Sequence, residues 1–326
     1  MTVRSLRSLL LAATLAAAAT LVACSAQAEP AAPGAAAAPQ EPPVPLLWKV
    51  SDEDNSLYLL GAFHLLLPGD YPLSPDVDLA FVDAEKLLFE LSPEELASPQ
   101  LGLQMARAAL RTDGTTLDQQ LGPELAARLA RWTSEEAELL ASAGLSPDRL
   151  QRFEPWYVGM LITLLRMNSL GFDGEIGLDA HLGGYARAAG KPTAGLETAR
   201  EQIAFLDGMD PGEQVELLAR ALDEAGDGEA EFLRLHAAWR AGDVDALMAE
   251  SVDELKRDFP ELYRAINVER NDRWVPALEA RLREDGSDDT LVVVGAMHLL
   301  GEDGVVEKLR ARGYTVERIC SACAAP

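Results

Sequence analysis

Leu57–Leu66 reads LYLLGAFHLL, and Leu291–Leu300 reads LVVVGAMHLL. Six of the ten positions are identical, and Gly, Ala and His fall in the same register. Each copy is an apolar run with β-strand character that ends at a glycine and then presents a histidine. The two histidines, His64 and His298, are 234 residues apart. Such a repeat predicts two equivalent strands that bring two imidazoles to one cleft. One Gly-x-x-His would most simply be a structural histidine. Two in matched contexts point to a shared site.

The segments after each copy run in the same order. After His64, Pro68-Gly69-Asp70 is a loop, Ser74-Pro75 starts a helix with Ser as N-cap and Pro at its first position, and KLLFEL (86–91) is the next strand. After His298, Gly301–Gly304 is a loop, a helix runs from about 304 to 312, and 314–319 is the closing strand. Strand–helix–strand units of this length predict parallel neighbours. Ligands in such sheets sit at the carboxyl ends of the strands, where both histidines fall. Leu47–Val50 and Ser56–Leu60 flank the turn Asp52–Asn55 and read as a hairpin. Residues from about 95 to 285 carry mainly helical periodicity, broken by a short apolar stretch at 193–197. The fold class is therefore α/β: two related β-α-β halves form one mainly parallel sheet core, with a large helical insertion.

The chain has 326 residues, 48% of them hydrophobic, which is enough for a substantial core. Its formal net charge of −25 and the lack of a basic stripe exclude nucleic acid as a partner. Arg4 and Arg7 precede an apolar run from Leu9 to Ala23, and Leu21-Val22-Ala23-Cys24 reads as a lipobox. The expectation is a lipoprotein signal at 1–23, lipidation of Cys24, and a flexible Ala/Pro-rich tether at 24–45. The domain then covers 46–326 on the periplasmic face of the cell envelope. Signal cleavage after Ala26-Gln27-Ala28 is the rival reading, and it too exports the chain. Cys320 and Cys323 form CSAC at the C-terminus, where too little chain follows for the helix that a redox motif needs. A local disulfide or free thiols fit better.

Beyond His64 and His298, three side chains stand out. Glu90 lies within an apolar strand, where a carboxylate is costly unless paired or bound. A one-sided sheet would instead leave it solvated. Its counterpart in the second copy, Glu317, sits beside Arg318 and reads as surface. Glu197 ends the short apolar stretch at 193–197, either as a site carboxylate or as a helix-initiating Glu. Arg270, followed by Asn271 and Trp274, sits on a polar helix. It could stabilise an oxyanion or be an ordinary exposed charge. Asp179 and His181 are two apart and do not share a helix face. His236 reads as structural. No P-loop, HExxH or Gly-x-Ser-x-Gly elbow is present in the sequence.

Taken together, LYLLGAFHLLLPGDYPL, KLLFEL, GLDAHLGGYARAAGKPTAGLETAREQ, WRAGD, ERNDRW and VVVGAMHLLGEDGVVEKLRARGYTVERI resemble the TraB/GumN family. That family is related to the Tiki proteases and more remotely to the erythromycin esterase and ChaN-like proteins. The segments span about 47 to 319. The resemblance implies a two-half α/β fold with both Gly-x-x-His units at one site. It also implies a metal-dependent hydrolase, a peptidase first, with a divalent metal ion such as Mn or Co. His64, His298 and Glu90 would be the metal positions, with Glu90, Arg270 and Glu197 as catalytic candidates. The substrate would be a peptide or a small ester or amide. A metal-independent esterase-like hydrolase using a His–Glu pair, and a non-catalytic envelope protein sequestering a peptide, metal or haem, are the alternatives.

Overall fold

A computed structural model describes residues 41–284 and 286–324. The expected signal, Cys24 and most of the tether lie outside the described residues. Among these residues no helix is long and apolar enough to cross a membrane.

Strands β1 (Leu47–Ser51) and β2 (Ser56–Ala62) form the expected antiparallel hairpin, with Leu47 opposite Leu60 and Ser51 opposite Ser56. The Asp52 carboxylate closes the turn by accepting from the Asn55 amide at 3.2 Å. Helix α1 (Pro75–Asp83) starts at Ser74, whose hydroxyl accepts from the Asp76 amide. It leads to β3 (Lys86–Phe89). The strand stops at Phe89, so Glu90 lies just past its carboxyl end rather than inside it. From Pro93 to Leu282 the regular elements are helices, with the one exception of β4 (Thr193–Gly195). This is the inserted helical region. Then come β5 (Thr290–Gly295) and β6 (Thr315–Ile319).

The six strands lie in the order β4-β3-β5-β2-β1-β6. β2, β3, β4 and β5 pair in parallel, and β1 is antiparallel to both β2 and β6. The expectation that each crossover joins adjacent strands needs correction. The β2–α1–β3 crossover steps over β5, and the crossover from β5 to β6 steps over β2 and β1. Directions stay parallel, but the two halves interlock. Burial gives the reason. Every residue of β2 and β5 is buried, so these two-faced apolar strands pair with each other at the centre, whereas β6 has no fully buried residue and takes an edge. The copies are staggered by one residue: Gly61 faces Val294, and Ala62 faces Gly295.

Inserted helices cover the sheet. The apolar run at 153–168 forms α2 (Pro155–Ser169), buried nearly all round through Trp156, Val158, Leu161, Ile162, Leu164 and Leu165. A helix apolar on all sides belongs inside a core. The elements that reach the carboxyl edge of the sheet are α3 (Leu178–Ala189), α4 (Ala199–Asp207), α5 (Glu229–Ala241) and α6 (Glu269–Leu282).

Candidate active site

β2 ends at Ala62, and the chain turns so that Phe63 and His64 are both buried. Phe63 packs against the rings of Phe232, His236 and Trp239. The first turn of α3 docks onto this backbone, with the Leu178 amide donating to the Phe63 carbonyl at 3.2 Å. The approach is so close that a Cβ on Gly177 would lie 2.0 Å from the His64 carbonyl oxygen. Only glycine fits there. Docking brings Asp179 to His64, with Nδ1 to Oδ2 at 2.6 Å.

β5 delivers the second histidine on a single 3-10 turn, Ala296–Leu299, and His298 is fully buried. Its Nδ1 is 2.8 Å from Asn271 Oδ1, and its Nε2 is 3.0 Å from Arg270 Nη1. The Trp274 ring lies 4.5 Å from the imidazole. Arg270 follows a π-type turn at Arg264–Val268 and donates from Nη1 to the Ile266 carbonyl at 3.1 Å. Such turns open the backbone hydrogen-bond ladder and recur at functional sites. Arg270 Nη2 donates to both Glu90 and Glu197, and Nε reaches Glu197 Oε2 at 3.2 Å. The helix that looks polar in sequence buries Arg270 and Asn271 in line with Trp274, Val275, Leu278 and Leu282. The exposed-charge reading of Arg270 is overturned, because its partners are buried carboxylates.

Glu90 is the hub. Its Oε1 accepts from the Gly295 amide at 2.7 Å, and it lies 3.7 Å from His64 Nε2 and 3.8 Å from His298 Nε2. Glu197 is tied to it through the backbone, with Glu197 N donating to Glu90 O at 3.1 Å. Gln202 on α4 donates to Glu197 at 2.9 Å and to Glu90 at 3.4 Å. His64, Glu90, Glu197, Arg270 and His298 are therefore brought together. They are buried under α4 rather than in an open cleft as the repeat suggested. Each is less than a tenth exposed. A groove of about 820 Å³ on the helical insertion, lined by Arg111, Glu154 and Gln214 among others, includes none of them.

The two imidazoles experience opposite fields. Burial works against a charge on His64, but Asp179 and Glu90 outweigh it and hold its pKa up at about 9. Burial, Arg270 and His64 together push His298 well below its ordinary value. Arg270 is raised despite burial, because Glu90 and Glu197 hold its charge.

Sequence reading did not assign Asp179, Asn271 or Gln202. Asp179 is off the His181 face as expected, but its own face turns inward. Gly177, two residues earlier, was the available signal of a close approach. Asn271 was visible only as the neighbour of Arg270. His236 is buried against Asp70, with Nε2 2.9 Å from Oδ2, and Trp239 Nε1 donates to the Gly61 carbonyl at 3.0 Å. These contacts tie the PGD loop and β2 to α5. Glu317 is exposed on β6. Cys320 and Cys323 are joined by a disulfide.

A divalent cation fits this donor set in part. His64 Nε2 is buried and has no hydrogen-bond partner. A Cβ on Gly295 would lie 3.1 Å from both His64 Nε2 and Glu90 Oε1, so the glycine keeps the space between these two donors open. His298 Nε2 is occupied by Arg270, so it becomes a ligand only if Nη1 moves off it. Accordingly, no three His, Cys, Asp or Glu side chains among the described residues stand in a ready ligand geometry.

Residues 46–318 match the TraB/PrgY/gumN family, and the chain belongs to it. Metalloprotease TIKI1 of Danio rerio is 24% identical over 312 residues, covering 83% of this chain and 62% of that protein. Uncharacterized protein YbaP of Escherichia coli (strain K12) is 25% identical over 258 residues, covering 79% of this chain and 89% of YbaP. Metalloprotease TIKI2 of Xenopus tropicalis is 24% identical, with 83% and 59% covered. The matches thus span about three fifths of the Tiki proteins and most of YbaP. No solved structure gives a significant match.

Proposed function

We propose that this member of the TraB/PrgY/gumN family is a divalent-metal-dependent hydrolase, with a peptide bond as the substrate to test first. The observation that carries the reading is the convergence of two imidazole Nε2 atoms, at 3.7 and 3.8 Å, on one oxygen of Glu90. The likeness to two proteins named as metalloproteases supports it. His64, Glu90 and, once Arg270 releases it, His298 would hold the ion. When bound, a divalent ion supplies an acidified water and a Lewis acid for the scissile carbonyl. Arg270 then offers its freed guanidinium edge to the oxygen on which charge develops. Glu197 and Gln202 keep Arg270 and Glu90 in place. Small esters or amides are the second substrate class. In this reading the domain, from residue 46 onward, works at the periplasmic face of the envelope on a 24–45 tether from lipidated Cys24.

One observation favours a second version without metal. Arg270 already neutralises Glu90 and Glu197 and occupies His298, leaving the Asp179-supported His64 beside Glu90 as the pair that would handle a water proton, with His64 acting as base only in its neutral form, above about pH 9. Metal analysis separates the two. The purified chain, loaded with Mn or Co, is expected to hold the ion stoichiometrically and to lose it in His64→Ala and His298→Ala. Peptide hydrolysis should fall at least about 100-fold in both variants. Metal content and hydrolysis unchanged in His64→Ala would sink the metal mechanism. Turnover that survives exhaustive chelation would support the His–Glu version.

A further inference from the structure

We propose that Asp179 and Asn271 are positioning residues that hold the proton of each neutral repeat imidazole on Nδ1, so that in the neutral rings both Nε2 atoms are bare and face Glu90. The logic is donor–acceptor matching at buried sites. An ionised carboxylate only accepts, so the 2.6 Å contact between Asp179 Oδ2 and His64 Nδ1 puts a proton on Nδ1. In the neutral ring Nε2 is then bare. Asp179 sits in the first turn of α3, which docks against the His64 backbone.

His298 reaches the same state by different chemistry. Arg270 can only donate, so its contact to Nε2 at 3.0 Å requires a bare Nε2. The remaining proton is on Nδ1, facing Asn271 Oδ1 at 2.8 Å. The orientation of the Asn271 amide is fixed independently. Its Nδ2 donates to the His298 carbonyl at 3.3 Å and to the Asp303 carbonyl at 2.8 Å, which leaves only Oδ1 for the ring. Both positioning residues lie on inserted helices, α3 and α6, and neither lies in the repeated units. The repeat thus supplies the imidazoles, and the insertion decides which nitrogen of each is usable. Groups that orient a histidine through its other nitrogen act this way in metal and general-base sites alike. The consequence for turnover rests on the hydrolase reading, but the tautomers do not.

The test is nitrogen NMR of the full chain with 15N-labelled histidine, treated with chelator. It is run at about pH 10, where imidazole is ordinarily neutral and which is above the value of about 9 for His64. The four histidines are assigned by single His→Gln variants. In the wild type, His64 and His298 should both show a protonated Nδ1 and a bare Nε2. Asp179→Ala should move the His64 proton toward Nε2 and leave His298 alone. Asn271→Ala should do the converse. Asp179→Asn should restore the wild-type His64 pattern, as Asn271 does for His298. Where the chain hydrolyses peptide, Asp179→Ala should cost roughly 10–100-fold in activity or metal affinity, with substantial recovery in Asp179→Asn. An Nε2 proton on either histidine in the wild type overturns the proposal, and that spectrum alone decides if the alanine variants do not fold. An unchanged His64 tautomer in a folded Asp179→Ala also overturns it. A chain without peptidase activity but with both Nδ1–H tautomers would remove the function and keep the positioning.

Discussion

His64 and His298 follow glycines at the same spacing and leave neighbouring parallel strands, but they are held in different ways. The His64 carbonyl is approached by bare backbone at Gly177, whereas the His298 carbonyl receives a side-chain donor, Asn271 Nδ2. The His64 ring faces two carboxylates, Asp179 and Glu90. The His298 ring lies against the guanidinium of Arg270 and the face of Trp274. One sequence pattern therefore yields one ring drawn toward the charged form and one kept neutral. Asp179 and Arg270, both on insertion helices, contribute much of the difference. Duplication can supply a pair of ligands or bases, but their division of labour comes from outside the repeat.

The strongest way to break this comparison is at the backbone contact that only the first copy has. Gly177→Ala places a methyl 2.0 Å from the His64 carbonyl, against backbone that cannot rotate away. The first turn of α3 must then retreat, taking Asp179 with it. The expected cost is roughly 3 kcal/mol of stability, the upper end for overpacking a core. Denaturant titration would measure it, and any hydrolysis should fall with it. A variant as stable as wild type would show that α3 does not hold His64.

A middle-sized effect should appear in the pH dependence of stability for the chelator-treated protein. The folded-state pKa of His64 is raised to about 9 from 6.5, so its contribution is fully present below about pH 6.5 and is lost as pH rises toward 9. His298 is lowered, so its penalty appears as pH falls below 6.5. The stability difference between wild type and His64→Gln should therefore shrink from pH 6.5 to 9, by an amount on the order of 2–3 kcal/mol. His298→Gln should instead reduce the loss on the acid side. Parallel pH curves for the two variants would mean that the rings share one environment.

Much of this was legible in the sequence, for identifiable reasons. The repeated apolar run with its Gly-x-x-His marked β2 and β5, because strands buried on both faces read as continuous hydrophobic stretches. Glu90 stood out as a carboxylate in such a stretch. Sheet order was not legible. Local crossovers suggested adjacency, whereas the pairing of β2 with β5 is a contact across more than 230 residues that only full burial of both strands decides. Arg270 could not be told from an exposed helix charge, because the buried carboxylates that pair with it, Glu90 and Glu197, lie 180 and 73 residues away in the chain. Asp179 and Asn271 act through docking geometry. The glycine at 177 hinted at this, but its partner backbone could not be read from the sequence.

The smallest expected effect comes from the points where the two copies have diverged most. Glu90 and Glu317 are equivalent in order along the repeat, each in the strand region after the helix. Glu90 is 1% exposed and bonded to the Gly295 amide and Arg270, whereas Glu317 is exposed on the edge strand opposite Lys49. Glu317→Gln removes at most a cross-strand charge pair worth a few tenths of a kcal/mol. Stability, and any hydrolysis, should both stay within error of wild type. Glu90→Gln keeps the shape but removes the charge that holds Arg270 and sits beside both imidazoles, so any hydrolysis should be lost while the fold is weakened. The contrast is measured by running the two variants side by side. An equal loss in both would mean that the second carboxylate still serves the site, and that the halves are more alike than their packing indicates.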